Sequence, residues 1–346
     1  MSLRFHEIAE ANHHILNPFT EEKLQLLGEI CHLHEDMRLL DLACGKGEML
    51  IQWAQRYNIM GVGVDISSAF IETAKARAFQ LDVSHKLNFL VGDAADYPEA
   101  HHQFDIVSCI GATWIGGGLP GTLQLMQTAL RSGGGILLVG EAYWREPPNE
   151  AIYTALETEP GAYVSLGETL ERFEAAGLEL VEMIMADTDS WDRYEARQWM
   201  AVRQFVENNP DDENIDALQN WIAKNRRAYL TYSRRYLGWG IFILREAGKP
   251  IAKPPLPHNP HRPVGVDRTD TMLWVRLEDG RVIGTPIEWY PWLKNATPEQ
   301  FNNVELTANG LVWHDLNQRL EVADLLRGQY TPIGLDGEDS VSRKKR

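Results

Sequence analysis

Three acids and three glycines stand where apolar runs of this chain end. In LLDLACGKGEML (39–50) Asp41 closes a hydrophobic run, and Gly45 and Gly47 follow it; Asp65 ends GVGVD (61–65), and Gly92-Asp93-Ala94 follows LNFLV (87–91). Glycines just past a strand let backbone approach a ligand closely. An acid after a second strand is placed to accept hydrogen bonds from both ribose hydroxyls, and an acid after a third can reach the exocyclic amine of adenine. One adenosine would satisfy all three stations.

The elements that must hold these stations are legible as an alternation of apolar runs and helical patterns. Strands are expected at 37–43, 61–65, 87–91, 104–109 and 135–140, with helices at 47–57, 67–80 and 120–131, the second capped by Ser67. This is the rhythm of an α/β, Rossmann-like doubly wound sheet. A helix at 167–176 leads into a strand at 178–186, but the next strand-like run, 239–247, arrives about 50 residues later. Two helices broken at Asn209-Pro210 fill the gap and are expected to form a helical lid at 190–237.

The glycine turn separates two adenosine cofactors. A dinucleotide pyrophosphate calls for G-x-G-x-x-G, and here the third position is Leu50. An acid at the first strand's end is awkward beside a pyrophosphate and useful beside an ammonium group, which S-adenosylmethionine carries. DLACGKG, VGVDIS and VGDAADY resemble, at these spacings, the cofactor motifs of class I S-adenosylmethionine-dependent methyltransferases, over roughly residues 5–247. NHHILNPFTEEK, CIGATWIGGG, GEAYWR and SWDRYEARQW resemble a bacterial branch of that family without an assigned substrate. The resemblance implies an antiparallel last strand, S-adenosyl-L-methionine as cofactor, Asp41, Ala43, Gly45 and Gly47 at its methionine end, Asp65 with Ile66 at the ribose, and Asp93 with Ala94 at the adenine. Ala43 stands where the motif usually has its first glycine.

On the acceptor side, Trp114 follows the fourth strand, and Glu141 and Tyr143 follow the fifth. His14, or its neighbour His13, from an N-terminal helix, and Trp191 and Tyr194 from the lid, complete the candidate pocket. Aromatic walls suit an apolar, planar or cationic acceptor. Methyl transfer from a sulfonium is largely a matter of alignment, so no catalytic residue is assigned. No metal is expected, since the pairs His13-His14, His32-x-His34, His101-His102 and His258-x-x-His261 complete no ligand set.

A net charge of -16, from 49 acids against 33 bases, repels polyanions and argues against nucleic acid as substrate. No apolar leader or spanning stretch is present, and the three cysteines form no CxxC pair, so a cytoplasmic protein without membrane contact is expected. Six prolines crowd residues 248–263, placing a linker at 248–268 after a methyltransferase domain at 1–247. A small α+β accessory domain at 269–330 follows, with hairpin turns at Asp279-Gly280 and Asn309-Gly310 and a capping box at Thr297–Gln300. It resembles a small bacterial domain of unknown function over about 270–328; Trp274, Trp289, Trp292 and Trp313 are expected in its core, and a protein partner is its natural role. Residues 331–346 read as a disordered tail. The leading function is methyl transfer to a small-molecule acceptor. A silent S-adenosylmethionine or S-adenosylhomocysteine sensor and a protein methyltransferase stay open as alternatives.

Overall fold

Leu39, Leu40 and Leu42 are fully buried, so the strand that carries them needs a neighbour on each side and helices on each face. It has both. The structure, a computed structural model, describes residues 2–97, 103–131, 133–248, 261–278, 280–328 and 333–334. The chain divides into two compact units, Met1–Lys253 and Pro254–Arg346.

The first unit runs α1 (Leu3–Ala9), α2 (Glu21–Ile30), β1 (Arg38–Leu42), α3 (Glu48–Tyr57), β2 (Met60–Asp65), α4 (Ser68–Gln80), β3 (Leu87–Val91), β4 (Ile106–Ile110), α5 (Leu119–Ala129), β5 (Ile136–Trp144), α6 (Glu150–Leu156) and α7 (Leu166–Ala175). It continues through β6 (Leu178–Met185), α8 (Thr188–Asn208), α9 (Ile215–Ala228), a π-helical turn (Tyr229–Ser233), the single turn α10 (Arg234–Tyr236) and β7 (Leu237–Glu246). The sheet order is β3-β2-β1-β4-β5-β7-β6, with β7 antiparallel to both of its neighbours. The chain reverses direction across the sheet between β1 and β4, and ligands of open α/β sheets sit at that switch. Side-chain alternation divides the core: Leu39 packs with α2, α3 and α4, whereas Leu40 and Leu42 pack with α5 and Phe173 of α7.

Leu50 replaces the third motif glycine because the small residues lie on the strand instead. A Cβ on Gly61 would stand 2.9 Å from Leu50, so the glycine of β2 makes room for α3. Ser67 caps α4 by accepting from Phe70 N–H, as its sequence position predicts.

Three expectations are corrected. β5 does not stop at residue 140, because β7 pairs with it as far as Trp144, and so Glu141 and Tyr143 belong to the strand rather than to a following loop. His13 and His14 lie in the turn after α1 and not in a helix. Residues 263–268, assigned to the linker, form a strand.

That strand, β8 (Pro263–Arg268), opens the second unit, which continues with β9 (Met272–Leu277), β10 (Val282–Pro286), α11 (Pro291–Lys294), α12 (Pro298–Asn302), β11 (Glu305–Leu306), β12 (Gly310–Trp313), β13 (Gln318–Glu321), α13 (Val322–Arg327) and β14 (Ile333–Gly334). β14, placed by sequence in the tail, pairs with β13. The capping box at Thr297 and Gln300 is present, and Gly328 ends α13 in the left-handed conformation. Trp313 is wholly buried and Trp292 packs beside it, but Trp274 and Trp289 are exposed. The Trp274 ring instead covers Gly284, its partner across the β9–β10 pair. Asp279, and with it half of the expected hairpin turn, lies outside the described residues, as do His101, His102, His258 and most of the proline stretch.

A chain ending at Lys253 is expected to unfold cooperatively, with a melting temperature within about 3 °C of the first unit's transition in the full chain. Thermal circular dichroism checks this. Aggregation of the shortened chain would show that the second unit completes the core of the first.

Candidate cofactor and acceptor site

The turn after β1 passes through three left-handed residues, Ala43 (φ 58°), Gly45 (φ 56°) and Gly47 (φ 67°). Neither glycine has room for a side chain: a Cβ on Gly45 would stand 2.6 Å from Leu16, and one on Gly47 2.4 Å from the Phe89 ring. Ala43 adopts the same conformation at a strain of about 1–2 kcal/mol. Asp65 ties this turn to the end of β2, since Gly45 N–H donates to one carboxylate oxygen and Ser67 N–H to the other, each at 2.8 Å. Asp41 is buried on the neighbouring strand and accepts from Ser108 Oγ at 2.7 Å. Burial pushes its carboxyl up to about 7, with the Asp65 charge adding to the rise and the Ser108 bond opposing it. Burial also raises Asp65, against its two backbone donors.

A second anchor was not legible in the sequence. The buried ammonium of Lys46, between the two glycines, donates to the carbonyls of Glu10 (2.7 Å), Ala11 (3.2 Å) and His13 (2.8 Å). Those bonds hold the segment after α1 against the turn. The side chain of Glu10, itself fully buried, accepts from Tyr194 Oη at 2.6 Å and Gln198 Nε2 at 2.8 Å on α8, and lies 3.0 Å from His13 Nδ1. The chain of contacts therefore runs from the glycine turn to the helix above it.

Between these elements lies a cavity of about 980 Å³. Asp41, Ala43, Gly45, Asp65, Ile66, Asp93 and Ala94 line it, together with His14, Trp114, Glu141, Trp191 and Tyr194. Asp93 is exposed and accepts from Ala95 N–H at 2.9 Å, while Ala94 is buried. Gly47 faces Phe89 instead of the cavity, and Tyr143 is a core residue whose ring fills the space beside Gly238. Sequence reasoning missed Thr113, Tyr163, Glu195 and Trp239, which also line it. Glu195 carries a readable signal: with Trp191 and Tyr194 it follows the four- and three-residue spacing of one helix face.

Two further carboxyls that line the cavity are raised by burial. Glu141 accepts from Thr113 Oγ1 at 2.5 Å and is pushed up to about 7, the Thr113 bond and the Arg172 charge opposing the rise. Glu195 accepts from Trp191 Nε1 at 3.2 Å and is likewise pushed up to about 7, with Glu10 adding to the effect. Cys31, Cys44 and Cys109 are free thiols, and Cys44 is half-buried. Among the described residues, no group of three or more metal-ligating side chains is placed to hold an ion, and no helix is long and apolar enough to cross a membrane.

A methyltransferase-domain family matches residues 33–193. The chain is 41% identical over 243 residues to the uncharacterized protein YjhP of Escherichia coli (strain K12), covering 70% of this chain and 97% of that one. This chain belongs to the S-adenosylmethionine-dependent methyltransferases. A methyltransferase of that kind from Geobacter sulfurreducens, solved in complex with S-adenosyl-L-homocysteine, is 42% identical and superposes with a TM-score of 0.68 over 71% of this chain and 98% of its own. Its counterpart from Thiobacillus denitrificans, in complex with the same molecule, is also 42% identical, with a TM-score of 0.66 over 71% of this chain and 99% of its own. Residues 263–331 of the methyltransferase match a family described as a protein of unknown function (DUF2442). The residues present fit the cofactor, because it brings an ammonium and a sulfonium into a cavity whose described lining holds six carboxyls (Asp41, Glu48, Asp65, Asp93, Glu141 and Glu195) and neither arginine nor lysine.

Replacing Ala43 by glycine is expected to stabilise the methyltransferase by up to about 1 kcal/mol, the relieved left-handed strain exceeding the added freedom of the unfolded chain. Equilibrium urea unfolding checks the sign.

Proposed function

We propose that the enzyme transfers a methyl group to a small molecule held in the part of the cavity roofed by α8. The observation that carries this reading is the volume of the cavity: about 980 Å³ is at the upper end for small-molecule sites and leaves room for a second molecule beside the cofactor. Bound S-adenosylmethionine supplies an electrophilic methyl carbon on a positively charged sulfur. In this reading Asp41 holds the ammonium, Asp65 the ribose hydroxyls, and Asp93 with Ala94 the adenine. Trp191 and Tyr194 position the acceptor and exclude water, so that alignment supplies much of the rate.

Residues 190–237 act as a lid in this proposal. Val202, Leu218 and Ile222 of α8 and α9 pack with Ala9 of α1 in a small core of their own, which lets the group move as one body. Its contacts with the glycine turn pass through Glu10 and Lys46, so cofactor binding and closure are linked.

Two measurements test these assignments. Burial pushes the Asp41 carboxyl up to about 7, and a bound cation favours its ionised form. Binding of S-adenosylhomocysteine therefore releases a proton below that value, and affinity falls as pH drops through it, by at most about tenfold per unit from this group. Calorimetric titration in buffers of different ionisation enthalpy reads the released proton, and Asp41→Asn binds more weakly with a flatter pH dependence. For the lid, Trp191→Ala is expected to lower turnover by about tenfold or more while changing cofactor affinity by less than about twofold. Amide exchange in 190–237 slows on ligand binding; exchange that is already slow and indifferent to ligand would make these helices a fixed wall. Release of S-adenosylhomocysteine on incubation with metabolite fractions, and not with protein fractions, supports the small-molecule reading.

A further inference from the structure

The acceptor part of the cavity has a charge pattern that selects among small molecules. Asp41, Asp65 and Asp93 are taken by the cofactor in the reading above, and Glu48 is neutralised by Arg77, which donates from Nη2 at 2.8 Å. Glu141 and Glu195 are left. Glu141 stands on β5, two strand spacings from β1, or about 10 Å along the sheet edge. Glu195 stands on α8. One therefore belongs to the sheet and the other to its helical cover, and both line the same cavity.

Each carboxyl takes its hydrogen bond from a neutral donor, the Thr113 hydroxyl or the Trp191 indole N–H. Arg172, the cation whose charge acts on Glu141, donates to the Gly161 carbonyl at 2.7 Å and does not line the cavity. The charged neighbour of Glu195 is another acid, Glu10. Buried carboxylates without a counter-ion are expensive, and a cationic ligand would remove that expense. Aromatic rings of Tyr163, Trp191, Tyr194 and Trp239 supply the remaining wall, and ring faces attract cations as well as apolar bodies.

We infer that the acceptor is an amine, recognised as its ammonium ion by Glu141 and Glu195 and methylated on nitrogen. The inference rests on the small-molecule reading of this cavity. An ammonium has no lone pair, so it must first give a proton to a carboxylate, and Glu141 is the acceptor of that proton. Burial raises the basicity of Glu141 in the direction this transfer requires. The freed nitrogen pair then forms the N–C bond to the methyl carbon as the C–S bond breaks, its electron pair staying on sulfur. The products are a methylated ammonium ion and S-adenosylhomocysteine, and the proton on Glu141 passes to solvent on release. Anionic acceptors are disfavoured, because the described lining offers them no arginine or lysine.

The test uses the full-length protein saturated with S-adenosylhomocysteine and matched probes: benzylamine, phenethylamine, cyclohexylamine and spermidine, against the corresponding alcohols and carboxylic acids of the first three. Calorimetry at pH 8 should find binding for at least one amine and at least about tenfold weaker binding for its alcohol and acid counterparts. Glu141→Gln and Glu195→Gln should each weaken that amine by about tenfold while leaving S-adenosylhomocysteine affinity within about twofold, which also certifies the fold. Glu141→Asp should restore part of the loss. Alcohols or acids binding as well as the amines, or amine affinity unchanged in both variants, would overturn the inference. A panel in which no compound of any class binds also overturns it, and combined with S-adenosylhomocysteine release on protein fractions it would refute the small-molecule reading as well.

Discussion

Burying an ammonium group requires hydrogen-bond acceptors, and at Lys46 all three are backbone carbonyls of one short segment. The stretch between α1 and α2 is also held by Asn17 Nδ2, which donates to the Ile110 carbonyl at 3.4 Å, and by the buried Phe19. Drawn down to the glycine turn, it delivers Leu16 against Gly45 and Asn17 against Gly111, and it delivers Glu10 to α8. Without this contact the carboxyl edge of the sheet would keep its three acids but lose the wall that encloses them. Among the described residues, His13 Nε2 is buried without a hydrogen-bond partner.

The sheet was legible because its central strands are buried on both faces and read as short apolar runs bounded by glycine and acid. The placement of Asp41, Asp65 and Asp93 at the carboxyl edge of the sheet was legible for the same reason, since each is defined by where such a run ends. What depended on pairing was not. The extra length of β5 comes from β7, whose sequence lies about 100 residues away, and no local pattern announces that Glu141 sits within a strand. Lys46 was silent because backbone carbonyls carry no residue identity. Tyr143 and Glu141 share a face by strand alternation and each pairs with a glycine of β7, Gly238 and Gly240, yet Tyr143 packs in the core and Glu141 lines the cavity.

The second unit illustrates the same division. Its capping box, its proline at a helix start and its glycine at a helix end are local chemistry, and all stand where the sequence puts them. Its tryptophans separate by register: on β9 the odd-numbered residues Leu273, Val275 and Leu277 point inward, so Trp274 points out and lies over a glycine on β10. Aromatic character alone could not separate Trp313 from Trp274.

The helical roof leaves the sheet at the end of β6 and returns at the start of β7, and these two strands are hydrogen-bonded neighbours, with Ala186 N–H donating to the Trp239 carbonyl at 2.9 Å. An excursion whose two ends are already fastened side by side can change in length and content without breaking the strand pairing of β1, β2 and β3. Evolution, or a protein engineer, can thus exchange the roof as a cassette. Selectivity for the methyl acceptor would then drift quickly among relatives while the machinery for the shared cofactor stays still.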